Sequence, residues 1–441
     1  MDCVTKLCDV KQGPVIVRGW VENVRKGKKY MFVLLRDGVG KQSHVQVVVP
    51  KSVATTVTCE SYVEISGVVK DHEVGQYSCR PFEIEASSVK VIGESSGSFA
   101  SKCPSDAGAD VKLEQRHLYI RDPKFALITK LRAVLVRALR DHFEETGCTE
   151  IFPPSFVGNQ CEGGSTLFSL QYPARDTGDM PAYLTQSSQF YLEYTLPALG
   201  DTYCIAPSFR AERSQTRRHL TEFLHAECEW SGIMSFGDHL AKLRALMIGT
   251  VSRFLEYGKD YLIELGEHIR VTHLLEMCHA IRTLTHEEAI VYCREHEIYK
   301  DEETKTHFDF TDDIPEMQER KMIDQMGSIV FLTQFPKHFK SFYFDTFENG
   351  LTLSCDIECP NIGEVVGSGV RAYDPEVLEK AIIDNGLKVE DYKEYIELRK
   401  FGPGRTSGMG LGVDRFLSWL LGTHSIRDVV TFPRYPGKLT P

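Results

Sequence analysis

Between Phe209 and Phe223 the chain reads FRAERSQTRRHLTEF, which sets four arginines, one histidine and two glutamates between two aromatic residues. Guanidinium groups bind phosphate oxygens bidentately, so arginines and a histidine fanned along a strand–loop–strand can grip a triphosphate. Glu212 and Glu222 can accept from a ligand's amino or hydroxyl groups, or balance the arginines. Phe223 offers a flat face to a base. Taken alone, such a stretch reads more readily as a solvated, salt-bridged hairpin.

Two distant segments bear on that choice. GMGLGVDRFLSWLL places Gly408, Gly410 and Gly412 before Asp414-Arg415 and an apolar helical run. Glycines let backbone approach a ligand closely, and Arg415 would point into the same site. GCTEIFPPSF reads as a helix ending at Gly147 and a strand interrupted by Pro153-Pro154. A further acidic stretch, CDIECPNIGEVVGSGVR, carries Asp356, Glu358 and Glu364 ahead of Arg371.

These segments need elements to position them. The first ~95 residues read as five short strands, VIVRGWVENV, YMFVLLRDG, HVQVVVP, YVEISGVVK and PFEIEASSVKVIGES, with turn-like pieces between them. That spacing fits a small closed barrel. Glu94 to Asp110 is rich in serine, glycine and alanine and reads as a linker. Asp122-Pro123 can cap a helix in which Leu127, Leu131, Leu135 and Leu139 recur every four residues. Helices are expected around Phe236–Tyr257 and Glu376–Lys400. A barrel followed by a large mixed α+β domain is the simplest partition.

Composition narrows the class. The 441 residues are 42% hydrophobic and 26% charged, with a formal net charge of -11. No run offers the roughly 20 apolar residues of a membrane span, and the N-terminus lacks a signal-peptide or transit pattern, so a cytosolic protein is expected. The acidic balance argues against a nonspecific coat for nucleic acid but leaves room for a local basic patch that meets RNA. Thirteen cysteines lie scattered without paired CxxC spacing, which argues for free thiols over a zinc site.

Together the three segments resemble the three signature motifs of the class II aminoacyl-tRNA synthetases. Pro154 matches the first motif, Phe209 to Glu212 through Arg218-His219 the second, and Gly410 to Gly412 with Arg415 the third. RHLTEF and an N-terminal barrel resemble the subclass that charges aspartate, asparagine and lysine. The resemblance implies an α+β chain with a five-stranded OB-fold anticodon-binding barrel over 1–95 and a linker over 96–118. A catalytic domain on an antiparallel sheet flanked by helices would fill 119–441. It implies ATP as substrate, with Arg210 on the α-phosphate and Arg218, His219 and Arg415 on the β- and γ-phosphates. Phe223 would lie under adenine, with Glu212 also at the nucleotide. Mg2+ is implied on Asp356 and Glu364, and a homodimer through the first motif.

For the amino acid, the resemblance brings Glu162, Ser165 and Gln189 near the substrate ammonium and Arg371 onto its side-chain oxygen. Aspartate-charging members carry a lysine where this chain has Leu192, and a shorter aspartate where it has Glu227. Without that lysine a second carboxylate lacks a partner, and Glu227 would accept from an amide while repelling aspartate. Asparagine and tRNA(Asn) are therefore the expected substrates. In the barrel, RKGKKYMFVLLRDG sets basic residues beside Tyr30 and Phe32, which suits single-stranded RNA but alone reads more readily as a basic surface turn before a core phenylalanine. Phe32 matches a ring that stacks on the middle anticodon base, and Gln46 and Glu83 match polar contacts to it. An aspartate-charging enzyme, an ammonia-dependent asparagine synthetase and a noncatalytic RNA-binding paralogue are the alternatives.

Overall fold

The computed structural model describes residues 4–73, 80–104, 106–159, 161, 166–175, 178–213, 216–402 and 404–440. The chain divides into two compact units, residues 1–131 with 260–266, and residues 132–259 with 267–440.

In the first unit five strands close a barrel in the order β1-β2-β3-β5-β4. They are β1 (Gly13–Lys26), β2 (Tyr30–Arg36), β3 (His44–Pro50), β4 (Tyr62–Asp71) and β5 (Phe82–Gly93). All five expected strands are present. Alternation decides which side chains turn inward: Val15, Val17 and Val21 of β1 join Val33, Leu35, Val47, Ile65 and Ile84 in one buried core. The serine-rich stretch expected as a linker is partly helical, at Phe99–Lys102 and Ala109–Glu114.

The helix Pro123–Glu145 starts as its sequence requires, with the Asp122 carboxylate accepting from the Phe125 amide at 2.9 Å. Leu127, Leu131, Leu135 and Leu139 are all buried. Gly147, at φ 87°, takes the left-handed conformation just beyond its end.

The second unit is built on an eight-stranded sheet of order β12-β13-β14-β15-β16-β11-β10-β6. Its strands are β6 (Thr149–Glu150), β10 (Thr202–Phe209), β11 (Glu222–Trp230), β12 (Arg282–Thr285), β13 (Val330–Thr333), β14 (Ser354–Cys359), β15 (Gly363–Val370) and β16 (Ser407–Gly412). Six of them, from β13 to β10, run antiparallel, as expected. Each edge adds a strand in parallel, β12 on β13 and β6 on β10, so the sheet is mixed. A small antiparallel sheet, order β7-β9-β8, is formed by Phe156–Val157 (β7), Ser169–Pro173 (β8) and Asp179–Leu184 (β9).

The helix Phe236–Tyr257 has the expected bounds and opens on a reciprocal capping box between Ser235 and Asp238. The helix expected over Glu376–Lys400 is broken. It forms Pro375–Asp384 and Lys393–Leu398, because Gly386 at φ 71° ends the first. The expected strand in TEIFPPSF likewise survives only as β6 and β7, since prolines cannot donate to a ladder.

In the barrel the imidazole of His44 lies between two acceptors. Nδ1 faces the Gly40 carbonyl and Nε2 faces Glu22, both at 2.8 Å. Burial lowers the His44 pKa, but Glu22 and Gly40 outweigh it and the net value lies above the usual 6.5; burial likewise acts against a net lowering of Glu22 by His44. A raised histidine contributes stability that is complete below ~6.5 and fades as pH rises through its folded value. A lowered glutamate contributes stability that is complete above ~4.5 and fades as pH falls through its folded value. Barrel stability should therefore peak between roughly pH 4.5 and 6.5 and decline toward pH 8. The decline should vanish in His44→Ala, as read by denaturant unfolding of tryptophan fluorescence, Trp20 lying on β1.

Candidate active site

The central strands of the larger sheet present one face to a cavity of about 330 Å³. Odd positions of β11 supply one wall, where Phe223, His225, Glu227 and Glu229 all line the space. Across the ladder, Glu227 is opposite Gly410 and Glu229 opposite Gly408; beyond them lie Gly367 and Gly369 of β15. These glycines leave a backbone floor. A methyl group on Gly410 would stand 2.5 Å from His225 Nε2, and one on Gly408 would overlap the Glu229 carboxylate.

The predicted arginines converge here. Arg210, Glu212, Arg218, His219, Phe223 and Arg415 all line the cavity. The Arg210 guanidinium stands 5.5 Å from the Phe223 ring centroid. Arg415, in the first turn of the Val413–Leu421 helix, donates to the Glu364 carbonyl at 2.7 Å. The preceding Asp414 accepts from Arg132 at 2.6 Å, which ties that helix to Pro123–Glu145. Arg218 is ion-paired with Glu316 at the start of the Glu316–Met326 helix. Burial and the charge of Arg415 hold His219 below its ordinary value. Glu222 is exposed at the edge of β11, outside the cavity.

An acidic group lies on the adjoining strands. Asp356 and Glu364 both line the cavity and flank Gly367. Burial pushes the Asp356 carboxyl up to about 6 against the pull of Lys340, and Glu364 pushes the same way. Glu319 is pushed up to about 8 by burial and by Asp356. Glu358 is wholly buried, and neither of its carboxylate oxygens has a hydrogen-bond partner among the described residues. The Lys340 ammonium bonds Asp356 and stays protonated, because Asp356 and Glu364 outweigh its burial. Asp356 and Glu364 offer the hard oxygen donors that a divalent cation such as Mg2+ takes, with Asp356 paired to Lys340 and Glu364 4.0 Å from Arg415.

The opposite end is lined by polar and charged side chains. Gln189, at the start of the helix Gln189–Leu199, lines it together with Ser187, Glu227 and Arg371. Glu227 accepts from the Ser187 hydroxyl and, at 2.8 Å, from the Ser188 amide. Arg371, just past β15, makes a bidentate pair with Glu229 through Nε and Nη2. Rings of Tyr343 and Phe344 stand 5.2 and 5.3 Å from its guanidinium. Leu192 is fully buried and does not line the cavity. Glu162 and Ser165 lie outside the described residues.

In the barrel the three residues chosen from sequence fall together. Arg25 donates to Gln46 at 2.8 Å, Gln46 donates to Glu83 at 2.9 Å, and the Arg25 guanidinium stands 5.4 Å from the Phe32 ring. Sequence reasoning missed Ser187, His225, Glu229 and Lys340. Glu229 was open to it, since strand alternation from Glu227 puts both carboxylates on one face. Lys340 has no local signal.

A sequence model described as tRNA synthetases class II (D, K and N) matches residues 108–436, and one described as an OB-fold nucleic acid binding domain matches residues 15–92. The cytoplasmic asparagine–tRNA ligase of Macaca fascicularis is 37% identical over 97% of this chain and 75% of its own length. The asparaginyl-tRNA synthetase of Entamoeba histolytica has a similar structure, with TM-score 0.87, 33% identity and full coverage of both chains. So does the Pyrococcus horikoshii enzyme complexed with asparaginyl-adenylate, with TM-score 0.88, 31% identity and full coverage of both chains.

The glycine floor gives a direct test. Gly408→Ala forces its methyl group onto Glu229 and should cost about 1–3 kcal/mol of stability. Chemical denaturation should register that loss, and amino-acid activation should fall with it.

Proposed function

The chain belongs to the class II tRNA synthetases of the D, K and N group, and on that premise we propose the reaction its cavity carries out. It activates L-asparagine with ATP to asparaginyl-adenylate and transfers the acyl group to the terminal ribose of tRNA(Asn). The observation that carries this reading is one cavity with two ends, a cluster of cations with an aromatic ring at one and an Arg371–Glu227 pocket at the other.

The chemistry needs no protein nucleophile. The asparagine carboxylate attacks the α-phosphorus of ATP, the bond to the bridging oxygen breaks, and pyrophosphate leaves. Arg210 holds the α-phosphate and offsets charge that develops there as the bond forms. Arg218, His219 and Arg415 hold the β- and γ-phosphates, with Arg218 leaving Glu316 to do so. Phe223 lies against adenine, and Glu212 accepts from the nucleotide. Asp356 and Glu364 would hold Mg2+, which would supply positive charge to offset that of the phosphates. Catalysis is positioning and electrostatics.

Selection falls to Arg371 and Glu227. Arg371 donates to the side-chain oxygen, and Glu227, held by Ser187 and the Ser188 amide, accepts from the side-chain NH2. An aspartate carboxylate there would face Glu227. Two like charges ~4 Å apart at an effective dielectric of ~20 repel by about 4 kcal/mol. Gln189, with Glu162 and Ser165, receives the ammonium group, and Leu192 supplies no charge for a second carboxylate.

Outside the catalytic cavity, Phe32, Gln46 and Glu83 read the anticodon, the ring stacking on a base while the polar pair contacts its edge. Phe152 and Phe156, 86% and 55% exposed beside Pro153-Pro154, supply apolar surface for a homodimer through the first motif. Among the described residues no helix is long and apolar enough to cross a membrane. The relatives' names support a cytoplasmic location.

Three outcomes test this reading. Arg210→Ala should fold yet lose roughly a hundredfold or more of ATP–pyrophosphate exchange; normal exchange would remove its role. Glu227→Ala should raise KM for asparagine far more than KM for ATP and narrow the preference over aspartate. Phe32→Ala should leave exchange intact and cut tRNA charging roughly tenfold, the value of one lost base stack.

A further inference from the structure

Behind the amino-acid pocket lies a second buried ion pair. Glu193 is 1% exposed and Arg399 5% exposed, and neither lines the cavity. Glu193 Oε1 accepts from Gln189 Nε2 at 2.9 Å and from the Tyr395 hydroxyl at 2.8 Å. The same oxygen stands 3.8 Å from Arg371 Nε. Its other oxygen accepts from Arg399 Nη2. Arg399 also donates through Nε to the Ala372 carbonyl at 3.0 Å, next to Arg371 in the chain, and through Nη2 to Tyr395 at 2.9 Å. One carboxylate thus touches Gln189, which lines the pocket, and stands close to Arg371, which does so too. Its counter-ion braces the backbone beside Arg371.

Charge balance gives this geometry a consequence. Glu193 and Glu229 bring two negative charges, and Arg371 and Arg399 bring two positive ones, all four side chains being buried. Burial acts against the charge of Glu193, but Arg399 and Arg371 outweigh it and hold that carboxyl below its ordinary range. Burial pushes the Glu229 carboxyl up to about 8 against the pull of Arg371. Both of its oxygens nonetheless accept from Arg371, through Nε and Nη2, and that bidentate geometry is the one a carboxylate makes. Arg371 then meets substrate as a guanidinium whose charge is already compensated. Buried ion pairs are weak contributors to stability relative to apolar packing, so stability alone does not account for the quartet.

We propose that Glu193 and Arg399 are positioning residues for amino-acid selection: they hold Gln189 and Arg371 in place and keep the buried charge behind the pocket at zero, so that the pocket takes a neutral side-chain amide over a carboxylate. This rests on the asparagine-activating reading and adds to it two residues that touch no substrate. Glu193→Gln leaves the quartet with one surplus positive charge, which attracts a carboxylate and loosens Gln189. Arg399→Gln leaves one surplus negative charge. The double substitution returns the sum to zero.

The test is ATP–pyrophosphate exchange by the wild-type chain, both single variants and the double variant, with asparagine and aspartate as separate substrates. For Glu193→Gln, KM for asparagine should rise about tenfold, the asparagine-to-aspartate ratio of kcat/KM should fall about tenfold, and KM for ATP should not change. Arg399→Gln should raise KM for asparagine without lowering that ratio. In the double variant the ratio should return to within about threefold of wild type, a coupling that a purely structural role would not produce. An unchanged ratio in Glu193→Gln, or no recovery in the double variant, overturns the proposal. Should Glu193→Gln fail to fold, Tyr395→Phe removes only one of its hydrogen bonds. It should raise KM for asparagine about threefold with KM for ATP unaltered, and an unaltered asparagine KM overturns the proposal. Wild-type exchange with aspartate alone would instead sink the asparagine reading itself, whereas wild-type preference for asparagine with insensitive variants sinks only the positioning roles.

Discussion

A buried guanidinium held against a buried carboxylate in the wall of the cavity, Arg371 on Glu229, is the contact around which the catalytic unit is arranged. Neither charge could be buried alone, because desolvating an unpaired ion costs several kcal/mol. The pair constrains everything near it. Strand β16 must carry glycine at 408, where a side chain would displace the Glu229 carboxylate. Tyr343 and Phe344 must bring their rings to the guanidinium, which locates the segment that also delivers Lys340. Glu193 and Arg399 must complete the charge balance, which joins the Lys393–Leu398 region to the Gln189–Leu199 helix.

The rest of the cavity is divided by charge. Arg210, Arg218 and Arg415 make one region positive in a chain whose net charge is -11. Asp356, Glu358, Glu364 and Glu319 crowd the strands beside it, with the Lys340 ammonium on Asp356 and Arg415 4.0 Å from Glu364. A polyanionic nucleotide and a divalent cation are complementary to these two regions taken together. The local arrangement, and not the overall charge, decides which ligand the chain accepts.

Much of this was legible in the sequence because the signals are local. Period-two alternation placed all five barrel strands, and leucines every four residues with an Asp-Pro start placed the Pro123–Glu145 helix. The Phe236–Tyr257 helix had its capping box written into Ser235 and Asp238. Local signals failed where backbone chemistry interrupts a pattern. Pro153-Pro154 reduced an expected strand to two short pieces, and Gly386 divided an expected helix. Among functional residues, the arginine-rich segment and the glycine-spaced segment were recognisable by composition. Lys340, Glu193 and Arg399 were not, because each acquires its role from a partner distant in the chain, such as Asp356 16 residues away or Glu193 206 residues away.

The sequence by itself indicated most of the elements, since those depend on residue type and short-range spacing, and indicated the kind of reaction through its resemblance to the class II synthetases. Tertiary structure alone decided how the amino-acid pocket is balanced. It turned Leu192 into the core, tied Glu227 to Ser187 and Ser188, and gathered four charges from four separate segments into one buried neutral group. The reason is physical: the free energy of a buried charge depends on which opposite charge lies within a few ångströms, and in this chain those partners are brought together only by the closing of the sheet.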